Sequence, residues 1–266
     1  ILDGIVFWTK NPTPMLERLD ELQHFPYYFQ YTLTSYGEDI EPNVPAKGKA
    51  GIPAFRQLSE RLGPDRVNWR YDPVLVNETY TLLHHLQYFE QMAKQLHGYT
   101  RRCVVGFIEP YKNTRKHAAA LGLRPIREED MRLLAKTFAE IGATHGISVA
   151  ACCEPLDFSA YGIRKACCID GAQLESIAGY TLQKRKDKGQ RAACACMESI
   201  DIGAYNTCEN GCTYCYANYK EHEIRKNLAA QNPLAPLLTG DLEREDIVYA
   251  RPVHSLLTSQ TRMSGF

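Results

Sequence analysis

A chain of 266 residues that is 44% hydrophobic is long enough to bury a full core, as one large domain or two small ones. Its 31 Lys and Arg balance 31 Asp and Glu, so no global charge draws it to nucleic acid or to an anionic membrane. No apolar stretch approaches the ~18 to 20 residues that cross a bilayer, Ile1 opens no signal peptide, and ten cysteines at this length argue against a secreted disulfide scaffold and for a reduced, cytoplasmic setting.

Apolar or aromatic runs at 5–8 (IVFW), 27–33 (YYFQYTL), 67–71 (VNWRY), 103–108 (CVVGFI), 147–152 (ISVAAC) and 199–205 (SIDIGAY) predict strands. Helices are predicted between them. Thr13 followed by Pro14 marks a helix start, and Gly63 followed by Pro64 a helix stop. Phe55, Leu58 and Leu62 share one helical face, as do Leu82, Leu86, Phe89, Ala93 and Leu96, and Met131, Leu134, Phe138 and Ile141. Residues 216–230 have helix-forming character, with Glu221, Glu223, Arg225 and Lys226 on the wet side. Strand and helix in alternation imply parallel strands with helical crossovers, hence an α/β barrel or an open doubly wound sheet.

A second repetition favours the barrel. Asn11, Asp72, Glu109 and Glu154 each stand before a proline at a strand end, and proline lacks the N–H that would continue the ladder. These side chains are expected at the carboxyl ends of strands, where α/β barrels build their active sites, joined by Lys10 and Arg70. The bare alternative is that such dipeptides only punctuate strands.

The run CENGCTYCYAN, 208–218, holds Cys208, Cys212 and Cys215 in CxxxCxxC spacing. Three thiolates so close in sequence can ligate one face of an iron–sulfur cube and leave the fourth iron open to a small molecule. A buried helical stripe is the plain alternative, but Asn206, Asn210 and Gly211 crowd the segment with turn formers. Zinc is the competing metal, and would need a fourth protein ligand from elsewhere. Upstream, Cys152, Cys153, Cys167, Cys168, Cys194 and Cys196 form another set. If one member of each doublet joins the CxC pair, as in Cys152, Cys168, Cys194 and Cys196, four ligands suit structural zinc or an auxiliary iron–sulfur cluster; ordinary buried thiols are the alternative. Cys103, inside an apolar strand, reads as core. KRKDKGQR at 184–191 reads as a solvated loop, His84, His85 and His222 as packing or surface histidines, and 249–266 as a docking arm or a frayed end.

The cysteine spacing, with Tyr214 directly before Cys215, resembles the cluster-binding signature of radical SAM enzymes. More of the chain, from DGIVFWTKNP (3–12) through ACCEPLDFSAYGI (151–163) to CACMESIDIGAYNTCENGCTYCYAN (194–218), resembles a bacterial domain-of-unknown-function family whose C-terminal cysteine cluster is compared with the radical SAM one. The resemblance implies a 4Fe-4S cluster on Cys208, Cys212 and Cys215, S-adenosyl-L-methionine (SAM) beside Tyr214, and a flavodoxin or ferredoxin as electron donor. It implies reductive cleavage of SAM to a 5'-deoxyadenosyl radical that abstracts hydrogen from a substrate. Glu109 and Glu154 are candidates for holding the SAM amino group, and Lys10, Asn11, Arg70 and Asp72 for the substrate. The signature sits late in this chain, so the expected fold is a TIM-like partial (β/α) barrel, circularly permuted relative to radical SAM barrels. Residues 1–230 would form it, cysteine segment 194–218 included, with 231–266 as an extension; family members also carry an additional N-terminal segment. The other functional reading is a non-catalytic zinc- or iron–sulfur-stabilised binding module, with nucleic acid as its ligand.

Overall fold

The computed structural model describes residues 2–109 and 119–258. Its frame is a six-stranded, all-parallel sheet: β1 (Ile5–Thr9), β2 (Tyr27–Thr32), β3 (Val67–Val74), β4 (Arg102–Phe107), β5 (Ser148–Ala151) and β6 (Arg164–Lys165). The strands pair in chain order, without the reversal that marks a doubly wound sheet. The helices are α1 (Thr13–Leu16), α2 (Ile52–Leu62), α3 (Leu82–Leu96), α4 (Glu128–Thr144), α5 (Gly171–Ala178) and α6 (Glu221–Ala229). Among the described residues, no helix is long and apolar enough to cross a membrane.

Side chains alternate across a strand, and here the alternation separates a greasy face from a polar one. Tyr27, Phe29, Tyr31, Trp69, Tyr71, Cys103, Val105 and Val149 point to one side, where α2, α3 and α4 cover them with Phe55, Leu58, Phe89, Ala93, Leu134 and Phe138. Phe89 anchors this core, stacked on Trp69 at 4.6 Å and on Phe138 at 4.1 Å between ring centres. Such pairs add about 0.5–1.5 kcal/mol each beyond the area they bury. The opposite face carries Tyr28, Gln30, Asn68 and Arg70, all buried although polar. There α5 packs Leu174 against Tyr28, and irregular chain covers the rest.

The contact of α4 with the sheet depends on a glycine. A Cβ at Gly142 would lie 2.5 Å from the Ile147 carbonyl oxygen and 2.8 Å from Val149 Cγ2. Backbone cannot withdraw as a flexible side chain can, so Gly142→Ala is expected to cost about 1–3 kcal/mol, although alanine by itself favours helix by about 1 kcal/mol. Urea denaturation measures this; an unchanged midpoint would mean that α4 rides farther from β5.

Three expectations need correction. SIDIGAY, 199–205, forms no strand: Ile202 and Tyr205 are exposed, and the run has no parallel partner among the described residues. Its alternation of apolar and polar residues mimics a strand, but β-structure needs a neighbour. The helix after the cysteine loop begins only at Glu221, because residues 217–220 are drawn back by hydrogen bonds to Asn206 and Thr207. Finally, β3 does not stop at Asp72. It continues through the cis Asp72–Pro73 peptide to Val74, with its β4 register shifted between Tyr71 and Val74. Tyr36 hydroxyl takes up the freed backbone groups, donating to Pro73 O at 2.6 Å and accepting from Leu75 N at 2.8 Å. Pro110, one of the four strand-end prolines, lies outside the described residues, as does 259–266. The end that is described docks: Leu256 N donates to Asp3 Oδ2 at 2.6 Å, and Leu257 bridges Leu182.

Candidate functional site

The three cysteines of CxxxCxxC lie on one closed loop. Asn206 locks its base, with its amide donating to Ala217 O at 2.9 Å and its Oδ1 accepting from Tyr219 N at 3.0 Å and Lys220 N at 3.2 Å. Inside, Cys215 N donates to Cys212 O at 3.0 Å, a tight turn that brings the cysteines round together. The thiols are half-buried and close enough to act on one another electrostatically. Burial pushes the Cys212 thiol up to about 11, with Lys10 opposing and Cys215 and Cys208 adding to the rise.

This loop is fastened to the chain that leaves β2. Thr213 N donates to Ile40 O at 3.0 Å, Asn43 N to Asn210 O at 3.2 Å, and Asn43 Nδ2 to Glu209 O at 2.6 Å. Gly211, at φ +65°, permits the approach, since a Cβ there would meet Pro42 Cγ at 3.0 Å. At the centre is Glu41, whose side chain is fully buried. It accepts from Lys10 Nζ at 2.8 Å, Thr34 Oγ1 at 2.8 Å, Lys47 Nζ and the Tyr214 hydroxyl. Burial alone would raise its carboxyl, but Lys10 and Lys47 outweigh it and hold the group at about 2. Tyr214, the aromatic of the motif, is therefore a strut between the cysteine loop and the carboxyl edge of β1 and β2.

The upstream cysteines gather under the polar sheet face. Cys152 and Cys168 sulfurs stand 3.2 Å apart, and Arg70 Nη1 donates to Cys168 Sγ at 2.8 Å. Cys196 neighbours Cys168 and Cys194, and Cys194 neighbours Cys153. Hydrogen bonds from Cys152 and Cys196, then Arg70, hold the Cys168 thiol well below its ordinary value, against the opposing effect of burial. The Cys168 carbonyl is gripped by Tyr28 hydroxyl at 2.6 Å and Gln30 Nε2 at 2.8 Å. Cys152 and Cys153 do not alternate across a strand, because β5 ends at Ala151 and Cys153, at φ +56°, turns back toward Cys194. Among the described residues, no group of three or more His, Cys, Asp or Glu side chains stands ready to hold a metal ion.

The other expected site residues divide. Lys10 reaches the cysteine loop, 5.5 Å from the Tyr214 ring centre. Arg70 and Asp72 pair with one another. Glu154 is half-buried, accepts from Phe107 N at 2.8 Å, and is raised to about 7 by burial, with nearby Asp72 adding to the rise. Glu109 is instead half-exposed and ion-paired with Arg191. Asn11 turns to local work, accepting from Thr13 N at 3.2 Å before α1.

A family model described as "Domain of unknown function (DUF1848)" matches residues 1–217. The chain belongs to the DUF1848 family. No curated protein and no solved structure matches it. The matched part of this DUF1848 protein contains all ten cysteines and the strands that frame them. Reading along the sequence missed Glu41, Lys47 and Gln30. Gln30 carried a signal, a polar residue amid the aromatics of YYFQYTL; it is fully buried, and its Oε1 has no hydrogen-bond partner among the described residues. Glu41 carried none, since GEDIEPN is an ordinary polar loop by composition.

Proposed function

We propose that this DUF1848 protein is a radical SAM-like enzyme, with a 4Fe-4S cluster on Cys208, Cys212 and Cys215 at the mouth of a TIM-like partial (β/α) barrel. The observation that carries the reading is the anchorage of the CxxxCxxC loop through Tyr214 and Glu41 at the carboxyl edge of β1 and β2, the edge on which parallel α/β folds build active sites. Chain-order strands with helices over one face are also what a partial barrel requires. The donor set fits the group. Three half-buried thiols on one short loop match its ligand chemistry, and a cluster spreads its thiolates over separate irons, wider than the shell of a single ion. Bound there, the cluster supplies the electron for reductive cleavage of SAM, drawn from a flavodoxin- or ferredoxin-type donor.

The chain's own residues supply position and charge. Lys10, shared between Glu41 and the loop, offsets negative charge at Cys212. Glu154 is the better placed of the two glutamates for an ammonium group such as that of SAM, since its half-buried carboxyl ionises readily once a cation approaches, whereas Glu109 is engaged by Arg191. Arg70 and Asp72 offer a paired cation and anion to a polar substrate on the same face.

Anaerobic purification tests the proposal. The wild-type chain is expected to be brown, to carry iron and sulfide, and to release methionine and 5'-deoxyadenosine from SAM after dithionite reduction. Cys212→Ala should lose iron and cleavage together. A colourless, iron-free protein after reconstitution, or SAM cleavage retained in Cys212→Ala, would overturn it.

A further inference from the structure

The long irregular stretch from Gly179 to Lys220 contains neither helix nor strand, only isolated bridges, yet it must deliver the CxxxCxxC loop to its place. Structureless connections of more than about 12–15 residues are uncommon inside a domain and need a reason to stay put. The buried cluster beneath this one is made of Val104, Ala166, Cys153, Cys168, Cys194 and Cys196. Four of those six are cysteines, and side chains so small bury little apolar area. Hydrophobic burial alone is a weak anchor there.

We propose that Cys152, Cys168, Cys194 and Cys196 form a second site, a tetrathiolate that binds one tetrahedral ion of the zinc class and staples this stretch to the sheet. The four residues come from three separate segments, after β5, after β6 and from the irregular stretch itself, so an ion shared among them crosslinks all three. Each of three sulfurs already accepts an N–H: Cys168 from Arg70 at 2.8 Å, Cys196 from Ile169 N at 3.4 Å, and Cys194 from Cys196 N at 3.5 Å. Donors of this kind orient and stabilise metal-bound thiolates. The short Cys152–Cys168 separation favours a single ion over a cluster. As thiols, Cys152 and Cys168 stand 3.2 Å apart, and the four sulfurs are not arrayed about one centre. Zinc–sulfur bonds of about 2.3 Å in a tetrahedron set ligand sulfurs about 3.8 Å apart. The Cys152–Cys168 pair stands a few tenths of an ångström inside that separation. Cys167 is excluded, because its thiol is turned to Ala195 O at 3.1 Å.

The test uses the full chain carrying Cys208→Ser, Cys212→Ser and Cys215→Ser, so that the first cysteine site contributes nothing. Elemental analysis is expected to find stoichiometric zinc, retained on adding Cys167→Ser and reduced to trace on adding Cys168→Ser or Cys196→Ser. Because loss of a staple can unfold the chain, the triple variant is also stripped with a chelator and titrated with cobalt(II). Intense thiolate-to-cobalt charge transfer with tetrahedral bands, saturating at one equivalent, is the expected spectrum. A folded triple variant with no metal and no such spectrum overturns the proposal, as does iron with sulfide in that variant, which would mean a cluster. A wild type that holds zinc but no iron counts against the radical SAM reading and leaves this one standing.

Discussion

Glu41→Gln is expected to destabilise the protein by about 3 kcal/mol and to release the cysteine loop from the sheet edge. Removing one member of a buried ion pair costs about 3–5 kcal/mol, because the partner is left charged and desolvated. Here the partners are Lys10 and Lys47, whose side chains keep 14% and 16% of their exposure, so water relieves part of the cost and the lower end applies. Glutamine can still accept from Thr34 and Tyr214, which isolates the charge from the hydrogen bonds. Urea denaturation measures the loss, and the rate of Cys212 alkylation reports detachment; alkylation as slow as in the wild type would show that the loop does not depend on Glu41. The same residue sets an acid limit. Its folded-state value of about 2 lies below the ordinary 4.5, so the unfolded chain takes up a proton that the folded chain does not. The stability this contributes is complete above about pH 4.5 and is lost as pH falls toward about 2. Across that window the gap between wild type and Glu41→Gln should close; a gap independent of pH would contradict the pairing.

The second large effect belongs to Arg70. Its guanidinium is buried under the sheet between Asp72 and the Cys168 sulfur. Arg70→Met keeps most of the volume but strands the Asp72 carboxylate and removes a donor from Cys168, and about 3 kcal/mol of stability is expected to go with it, the lower end applying because Asp72 keeps 21% of its exposure. Arg70→Met with Asp72→Asn should recover a substantial part, because the stranded charge is then gone. Denaturation of both single variants and the double variant gives the coupling. Additive losses would show that the two side chains do not act as a pair, and that Arg70 matters chiefly through Cys168.

The main elements were legible where one period dominates the sequence. IVFW, YYFQYTL, VNWRY, CVVGFI and ISVAAC all became parallel strands, and the faces carrying Leu58, Phe89 and Phe138 became the helices that cover them. SIDIGAY carried the same pattern and failed, because a pattern of two is a strand only where a partner strand offers its backbone. The proline rule held where the strand ended and failed at Asp72–Pro73, where Tyr36, distant in sequence, satisfies the backbone groups instead. Lys10, Arg70, Asp72 and Glu154 were visible as polar residues at strand ends, as were Glu109 and Asn11, which partner Arg191 and Thr13.

What the residue order settles by itself is local: the periodicity of strands and helices, the chain-order alternation that makes parallel pairing possible, and three cysteines confined to one short loop. Such features depend on neighbours a few residues apart, and spacing reveals them. Only the tertiary structure decided that Glu41 and Tyr214, 173 positions apart, would share a proton-bearing contact, and that Cys152, Cys168, Cys194 and Cys196 would meet beneath Arg70. Contacts of that kind follow from how a sheet and its loops close in space, and residues that meet only there leave no period to read.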